Sequence, residues 1–295
     1  MEKLQFYIVD VFAEEKYAGN QLAVIRGARV LSTDQMQRIA KEMNYSETTF
    51  ILSDEERDGG YDVRIFTPET ELPFAGHPTL GTAYVIQQEI EKKPVQKITL
   101  NLRVGQIPVS ISYSGAQPGV LWMKQVQPIF GRTFDLEVIS QILSLDAEEI
   151  DRNFPIQDVS TGVPFIIVPL KTLDAVKRAK IASEKYFELV SSIEAKSILI
   201  FSPETYHKED DLSVRVFADY YGVPEDPATG SANGCLAGYL AKHRYFGKDR
   251  IDIRVGQGYE IGRPSLLLLK AEQKGEGIEV FVGGKVIMTA RGALV

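Results

Sequence analysis

The chain has 295 residues, 44% of them hydrophobic, which is enough for one large domain or two ordinary ones. Its net charge of −7 comes without a long run of Lys and Arg, which excludes the basic surface that nucleic acid or an anionic membrane requires. A single cysteine, Cys235, excludes an internal disulfide framework and any catalysis that needs two thiols.

The first half alternates strand-like segments with turn residues and two helical segments. Ser32-Thr33-Asp34 is typical of a helix N-terminus, and apolar residues at helix spacing follow it to Met43. A Pro-containing loop over residues 67–74 leads to a second helix, predicted from about Pro78 to Gln88. Strands are predicted over residues 4–12, 50–52 and 61–66, with a hairpin over 97–113.

The second half repeats this order of segments. Helices are predicted over residues 183–191 and 232–241, so that each half has two. Strands are predicted within residues 159–170, over 197–201, 212–217 and 278–287, and in a hairpin of 250–261 with 265–271. Frequent Gly and Pro between 115 and 133 indicate a boundary, and we divide the chain into residues 1–118 and 119–295. The extreme C-terminus, about 280–295, either stays with the second half or packs back on the first.

Two short sequences recur about half a chain apart. Val63-Arg64-Ile65-Phe66 returns as Val214-Arg215-Val216-Phe217, and Val104-Gly105-Gln106 returns as Val255-Gly256-Gln257, both at an offset of 151 residues. The repeat predicts two similar halves. The turns that follow the repeated strands carry different polar residues, Ala75-Gly76-His77-Pro78-Thr79 in the first half and Asp226 to Ala232 in the second.

Strands outnumber helices in both halves, which disfavours a doubly wound fold with a helix between every pair of strands. The helix after each of these turns has apolar and small residues on too many sides for a surface element, so it belongs inside a sheet. The prediction is an α+β fold with two pseudo-symmetric halves, each a curved, mainly antiparallel sheet wrapped around a central helix.

The sequence shows neither a membrane span nor a secretion signal. No stretch reaches the roughly 20 uninterrupted apolar residues that cross a bilayer, and the first residues lead directly into a strand-like segment. We expect a cytoplasmic protein that acts on a small molecule, with neither nucleic acid nor membrane as a partner.

Each of the two turns is predicted to end at a helix N-terminus, at Gly76-His77 and at Gly230-Ser231. The backbone N–H groups and the positive end of the helix dipole at such a position favour an anion, for example a carboxylate. The alternative is that Ser231 is an ordinary N-cap and Gly230 an ordinary turn residue. Asp226 precedes Ser231 closely enough to fold over the helix end, or else it forms an Asx turn or a second cap.

His77 and Glu47 are further candidates for acid/base chemistry. The chain has 3 histidines scattered along its length, so we expect no metal site. A histidine at a helix N-terminus tends to stay neutral, which suits a hydrogen-bond donor or a proton relay. Glu47 is either a solvated loop residue or a partly desolvated carboxylate between domains, whose pKa would then rise toward the value that a general base needs.

Several motifs fail on inspection. Gly256 to Gly262 resembles a dinucleotide fingerprint loosely, but its spacing is wrong and it is predicted to be a hairpin. Ser231 lacks the Gly-x-Ser-x-Gly context of an acyl-transfer nucleophile, and no P-loop is present. Cys235 is predicted to be a buried structural thiol in the middle of a helix.

At these residues the chain resembles the PhzF-like family, the phenazine biosynthesis-type isomerases, which share the diaminopimelate epimerase fold. The matching segments follow the family's order along essentially the whole chain. They are Asp10 to Phe12, Gly19 to Val24, Tyr45 to Phe50, Arg64 to Pro68, Gly76 to Gly81 and Asp226 to Ala232. The resemblance implies two similar halves, a site in the cleft and a homodimer.

The resemblance also implies roles for individual residues. The expected catalytic residues are Glu47 as the proton-transferring group, His77, Asp226 and Ser231. The residues expected to bind the substrate are Asn20, Ser46, Gly76, Thr229 and Gly230. Family relatives that racemise amino acids carry two cysteines at the helix starts, whereas this chain offers Ala75 and the Asp226 loop there, so a two-thiol mechanism is not available.

The implied function is that of an isomerase without metal or cofactor, which moves a proton between carbons of a small unsaturated or cyclic carboxylic acid. Two alternatives remain open. One is an epimerase or isomerase of another small acid, and the other is a catalytically silent ligand-binding protein that retains the fold.

Overall fold

The structure is a computed structural model that describes residues 4–115 and 117–295. The α-helices are α1 (Thr33–Met43), α2 (Gly76–Val85), α3 (Leu136–Leu143), α4 (Leu173–Arg178), α5 (Ser183–Ser191) and α6 (Gly230–Lys242). The strands of the first half are β1 (Gln5–Val11), β2 (Asn20–Arg26), β3 (Thr48–Ile51), β4 (Tyr61–Phe66), β5 (Glu71–Leu72), β6 (Lys97–Leu102), β7 (Gly105–Ser114) and β8 (Gln117–Lys124). The remaining strands are β9 (Ile129–Thr133), β10 (Gln157–Ser160), β11 (Pro164–Pro169), β12 (Ser197–Ser202), β13 (Leu212–Phe217), β14 (Arg250–Gln257), β15 (Ser265–Lys274), β16 (Gly277–Gly284) and β17 (Val286–Ala293).

The chain divides into two compact units. The N-terminal unit extends to Met123 and also contains Gly283–Val295, and the C-terminal unit is Lys124–Val282. Within the described residues, none of the helices is both long and apolar enough to cross a membrane.

The N-terminal unit is a mainly antiparallel sheet around helix α2. Its strands follow the order β17-β1-β2-β3-β4-β6-β7-β8, with parallel pairing at β2–β3 and β4–β6. Helix α2 contacts β1, β2 and β3 as well as β6, β7 and β17. A straight helix reaches that many strands of one sheet only when the sheet curves around it, so the curvature predicted for this half is confirmed.

Helix α1 lies outside this core and covers a smaller apolar cluster. Ser32 accepts a hydrogen bond from the Gln35 backbone N–H while the Gln35 side chain accepts one from the Ser32 N–H, a capping box that fixes where the helix begins. Met36 and Ala40 are its buried residues, and they pack with Phe50 and Phe66 of the sheet. The helix predicted after Ser32 is therefore confirmed.

The C-terminal unit is also a mainly antiparallel sheet with a buried helix. Strands β9 to β15 are neighbours in chain order, with parallel pairing at β11–β12 and β13–β14. Helix α6 contacts β10, β11, β14 and β15, and its residues from Ala232 to Ala241 are buried. The alternation of parallel and antiparallel pairs is the same as in the N-terminal unit, which confirms the predicted similarity of the halves.

The expectation of two helices in each half is wrong for the second. Helices α3 and α4 also form there and pack with α5 on one apolar cluster, which includes Ile139, Val176 and Tyr186. Both carry side-chain N-caps that are visible in the sequence, since Asp135 accepts from two N–H groups at the start of α3 and Thr172 accepts from one in α4. Both helices are short, which weakens the periodic signal.

The strand predicted over 278–287 is also wrong in its extent, because two strands replace it. Strand β16 ends at Gly284, and after Lys285 strand β17 runs to Ala293 and pairs antiparallel with β1. The Gly-Gly pair before Lys285 weakens strand structure at this point, so the chain ends β16 there and starts β17 after Lys285.

Only one of the two repeated sequences marks equivalent structure. Val63 to Phe66 lies in β4 and Val214 to Phe217 in β13, and both strands are followed by a buried helix. Leu100 is the partner of Tyr61 at the start of β4, whereas Val255 is the partner of Leu212 at the start of β13. Val255-Gly256-Gln257 therefore corresponds to the end of β6, whereas Val104 lies in the turn after β6. The two copies of this tripeptide do not occupy equivalent positions, and their repetition is a coincidence.

Candidate active site

Glu47 and His77, which are 30 residues apart in sequence, come together in the N-terminal unit. Glu47 immediately precedes β3, and His77 is the second residue of α2. A buried hydrogen bond of 2.8 Å between the Thr49 and Thr82 hydroxyls ties this strand to the helix. As a result, Glu47 Oε2 lies 3.3 Å from His77 Nε2, with only 16% and 7% of the two side chains exposed.

The buried imidazole of His77 is neutral. Burial lowers its pKa to about 3, and a hydrogen bond to the backbone of Gln21 opposes this shift without cancelling it. Nε2 makes no hydrogen bond to the described residues, so the donor to Gln21 is Nδ1. Nε2 is therefore the unprotonated nitrogen, and it lies 3.3 Å from Glu47 Oε2 in a contact that is close but not aligned as a hydrogen bond.

The other predicted residues of this unit lie at the starts of the same elements. Asn20 is the first residue of β2 and is buried, and Ser46 is half-buried beside Glu47. Because β2 and β3 pair in parallel, both strands begin at the same end of the sheet. Gly76 begins α2, whose N-cap, Ala75, makes no capping hydrogen bond through its side chain.

The predicted residues of the C-terminal unit surround the start of α6. Gly230 is its first residue, and Thr229 is the N-cap but does not cap the helix through its side chain. Instead, the Thr229 hydroxyl donates to Asp226 Oδ2 over 2.5 Å. The Asp226 N–H in turn donates to the Val216 carbonyl of β13 over 3.1 Å, which holds this loop against the strand.

Ser231 is not the N-cap of α6, because that position belongs to Thr229, so the N-cap alternative for this serine is wrong. It is the second residue of α6, as His77 is of α2, and its side chain is half-buried. In both helices the first backbone N–H groups have no intrahelical acceptor, which is the arrangement that favours an anion.

Polar residues that sequence reasoning missed also contact the start of α6. The Thr161 hydroxyl donates to the Ser231 carbonyl over 3.4 Å, and Asn233 and Gln257 are both fully buried polar residues near Thr229. Thr161 follows a strand and precedes a Gly-Val-Pro turn, and Gln257 ends a strand. A polar residue in an otherwise apolar strand is a weak sequence signal, since most such residues face solvent.

Cys235 is the buried structural thiol that the sequence predicts. Burial raises its pKa to about 11, against weaker effects of hydrogen bonds with Thr161. At neutral pH it therefore remains a thiol, which is a poor nucleophile. Among residues 4–115 and 117–295, no group of three or more His, Cys, Asp and Glu side chains is arranged to hold a metal ion.

Known proteins resemble this chain in sequence along nearly its whole length, and known structures resemble it in fold. A family model described as phenazine biosynthesis-like protein matches residues 9–292. The trans-2,3-dihydro-3-hydroxyanthranilate isomerase of Pseudomonas aeruginosa is 34% identical over 289 residues, which cover 98% of each chain. The crystal structure of a PhzF family phenazine biosynthesis protein from Bacillus anthracis superposes with a TM-score of 0.90 at 27% identity, covering 100% of both chains.

The same fold extends to more distant enzymes. A hydroxyproline epimerase from Agrobacterium vitis matches with a TM-score of 0.64 over 98% of this chain and 91% of its own, at 9% identity. A likeness at that identity concerns the fold alone, and it confirms the predicted epimerase-like α+β class. Because the family model spans nearly the whole chain and the relatives align from end to end, the protein belongs to the phenazine biosynthesis-like, or PhzF, family.

Proposed function

We propose that the protein is a cofactor-independent isomerase that moves a proton between carbons of a small unsaturated or cyclic carboxylic acid. Glu47 removes a proton from an activated carbon, and the electron pair left behind is delocalised over the unsaturated skeleton. Glu47 then returns the proton at another carbon, so that the product is an isomer of the substrate. Asp226 and Ser231 orient the substrate during both steps.

The observation that carries this proposal is the contact between Glu47 and His77. The Glu47 carboxyl group is only 16% exposed and has a neutral imidazole 3.3 Å away, so two groups that can exchange a proton are in contact where little water reaches them. The neutral His77 has one nitrogen hydrogen-bonded to the backbone of Gln21, and its other nitrogen lies 3.3 Å from Glu47 Oε2. It is therefore placed to share the proton that Glu47 collects.

The helix starts support an acidic substrate. The N–H groups at Gly76-His77 and Gly230-Ser231 are oriented as donors, and the helix dipoles add a partial positive charge at each position. Donors that are already in place stabilise charge as it develops in a transition state, which is commonly a large part of catalysis. The substrate carboxylate and the delocalised anion are the charges that they would stabilise here.

The first test is Glu47→Gln, which keeps the shape of the side chain and removes its proton-accepting charge. We expect kcat to fall by about 100- to 10,000-fold, the usual contribution of a general acid/base, while binding of a substrate-like acid is nearly unchanged. The probe is trans-2,3-dihydro-3-hydroxyanthranilate, the substrate in the name of the Pseudomonas aeruginosa relative. Turnover is followed by absorbance, and binding by the shift in melting temperature.

Glu42→Gln is the matched control, because it removes the same charge from the exposed side of α1. It should leave kcat unchanged. Activity of Glu47→Gln equal to that of the unaltered protein would contradict the assignment of the base.

An isotope experiment separates an isomerase or epimerase from a catalytically silent ligand-binding protein. An isomerase or epimerase of another small acid exchanges a carbon-bound hydrogen of that acid with deuterium from solvent, and it should lose this exchange in Glu47→Gln. A ligand-binding protein raises its melting temperature with an acid but exchanges no hydrogen. Family resemblance further supports a cytoplasmic homodimer, which sedimentation velocity and cell fractionation would measure.

A further inference from the structure

Gln257 is a fully buried polar residue at the end of β14, with 0% of its surface exposed. It belongs to the segment that resembles a dinucleotide fingerprint in sequence but forms a strand and a turn. A buried amide is costly unless its donors and acceptor are all paired. Its partners therefore indicate why it is there.

Among the described residues, the hydrogen-bond partners of its side chain lie in the segment that runs from Asp226 into the first turn of α6. The Nε2 group donates to the Asp226 carbonyl oxygen over 2.8 Å and to the Thr229 hydroxyl over 3.2 Å. The Oε1 atom accepts from the Thr229 backbone N–H over 3.3 Å and from Asn233 Nδ2 over 2.8 Å. One side chain thus joins the loop that carries Asp226, the N-cap of the helix and the first turn of the helix.

The bonds use both ends of the amide, so no other residue type of this size replaces it. A glutamate in the same place lacks the Nε2 donor, and a methionine has the length but lacks both groups. The Thr229 hydroxyl receives a hydrogen from Gln257 and donates its own to Asp226 Oδ2. The direction of the hydrogen bonds therefore runs from Gln257 through Thr229 to the Asp226 carboxylate.

The residue after Gln257 reinforces this contact. Gly258 has φ of +80°, and a Cβ at this position would lie 2.6 Å from the Pro227 carbonyl oxygen and 2.3 Å from that of Arg263. The glycine thus lets the turn after β14 approach the Asp226-Pro227 loop closely. Gln257 and Gly258 therefore both contact the Asp226-Pro227 loop.

We propose that Gln257 is a positioning residue that sets the place of the Asp226 carboxylate and of the first turn of α6. The inference rests on the proposed function, in which Asp226 orients the substrate. The motif from Gly256 to Gly262 then contributes to the site of Asp226. It does so through hydrogen bonds to the loop that carries Asp226, and not through contact with a nucleotide.

The chain offers a matched control in Gln106. It belongs to the same Val-Gly-Gln tripeptide in sequence, but it is exposed, and its Nε2 donates to the Asp58 carbonyl and to Asn101 in a hairpin. Gln106→Ala removes the same chemical group from the same three-residue sequence, far from Asp226 in the chain. It should leave kcat unchanged.

The activity test is a double-mutant cycle with trans-2,3-dihydro-3-hydroxyanthranilate as the probe. We expect Gln257→Ala to lower kcat by about 10- to 100-fold, as small misplacements of catalytic groups do. In the background of Asp226→Asn, where the carboxylate is already absent, the same change should cost less than about threefold, since the two effects act through one group. Equal losses in both backgrounds would show a general structural role and overturn the proposal.

Hydrogen exchange tests the positioning without any substrate. In Gln257→Ala the backbone amides of Thr229 and Asn233 should exchange at least about tenfold faster, because the first donates to Gln257 and the second closes the turn that Gln257 holds, while the Thr79 amide of α2 keeps its rate. If Gln257→Ala does not fold, Gln257→Met serves in both experiments. Unchanged exchange at Thr229 and Asn233 overturns the inference even if the protein is an active isomerase, whereas faster exchange in a protein without turnover contradicts the proposed function alone.

Discussion

Arg64 and Arg215 occupy equivalent places in the repeated strands and make the same contacts. Each guanidinium lies over the ring of the phenylalanine two residues later, Phe66 at 5.0 Å and Phe217 at 4.8 Å from the ring centroid. Each also binds one glutamate through Nε and Nη2, with distances of 2.8 and 2.7 Å to Glu71 and of 3.0 and 2.7 Å to Glu225. Glu71 lies in the short strand β5 that precedes α2, and Glu225 lies in the loop that leads to α6, so each arginine holds the segment before a central helix to the sheet.

The two ion pairs differ in their burial. Side-chain exposure is 9% and 8% for Arg215 and Glu225, compared with 24% and 14% for Arg64 and Glu71. Arg215 Nη1 additionally donates to the backbone carbonyls of Val176 and Ala179, over 2.8 and 2.9 Å. Removal of Arg215 therefore leaves several buried acceptors without a hydrogen-bond donor, whereas water can reach the partners of Arg64.

We predict that Arg215→Met lowers the free energy of unfolding by about 3–5 kcal/mol, the usual cost of leaving a buried charge without its partner. Arg64→Met should cost less, about 1–3 kcal/mol, because Glu71 also has Arg103 within 3.3 Å. Urea unfolding of the two variants measures the difference. Equal losses would show that burial does not set the strength of these pairs.

For single residues, the sequence predicts local positions such as helix starts better than it predicts contacts between side chains distant in the chain. Gly76-His77 and Gly230-Ser231 are recognised from turn and helix signals, and both do begin helices. The contact between Glu47 and His77 depends on which strand lies beside which helix, and no local pattern encodes that. The role of Gln257 is not predicted for the same reason, because its partners in the Asp226 loop lie about 30 residues earlier in the chain.

The central helices α2 and α6 are built from small residues because the sheet leaves little room around them. A Cβ on Gly81 of α2 would lie 2.6 Å from Leu22 Cδ2 and 2.9 Å from Val11 Cγ2. A Cβ on Gly238 of α6 would lie 2.8 Å from Pro128 Cβ. At both positions a Cβ fits only if a neighbouring side chain shifts, so packing and not backbone conformation favours glycine.

We predict that Gly81→Ala and Gly238→Ala each lower the free energy of unfolding by about 1–3 kcal/mol, the usual cost of overpacking a core. Helix propensity alone predicts the opposite sign, since alanine is favoured over glycine by about 1 kcal/mol inside a helix. The sign of the change in thermal or urea unfolding therefore decides which effect dominates. A gain in stability for either variant would mean that its neighbours move aside.

Element prediction succeeded where a segment is long or strongly capped and failed where it is short. The capping box at Ser32 predicts α1, and the strands that carry the repeated Val-Arg motif are found as expected. Helix α4, at 6 residues, is too short to establish a period. The second repeated tripeptide matched by chance, because three residues are too few to fix a register in a sheet.

For the molecule as a whole, His77 makes stability depend on acidity. Its pKa is about 3 in the folded protein and 6.5 as an ordinary value. Between these values the unfolded chain binds a proton at this residue that the folded chain does not. Stability is therefore fully present above pH 6.5 and is lost as the pH falls toward 3, by up to about 1.4 kcal/mol for each pH unit.

We predict that the free energy of unfolding falls more steeply with acid in the unaltered protein than in His77→Asn. The other titrating groups are common to both proteins, so the difference between the two curves reports His77 together with Glu47, which contacts it. Urea unfolding between pH 7 and about pH 5 measures it. Parallel curves would mean that the imidazole is protonated in the folded state.

The pairing of β1 with β17 has a consequence for the order in which the protein is made. Gln5 faces Ala293 across this ladder, so the sheet of the N-terminal unit contains both early and very late residues. A ribosome adds residues from the N-terminus onward. The C-terminal unit, Lys124–Val282, is therefore fully synthesised before the last strand of the N-terminal unit exists. The unit that is begun first is completed last, and until then one edge of β1 stays open on the nascent chain.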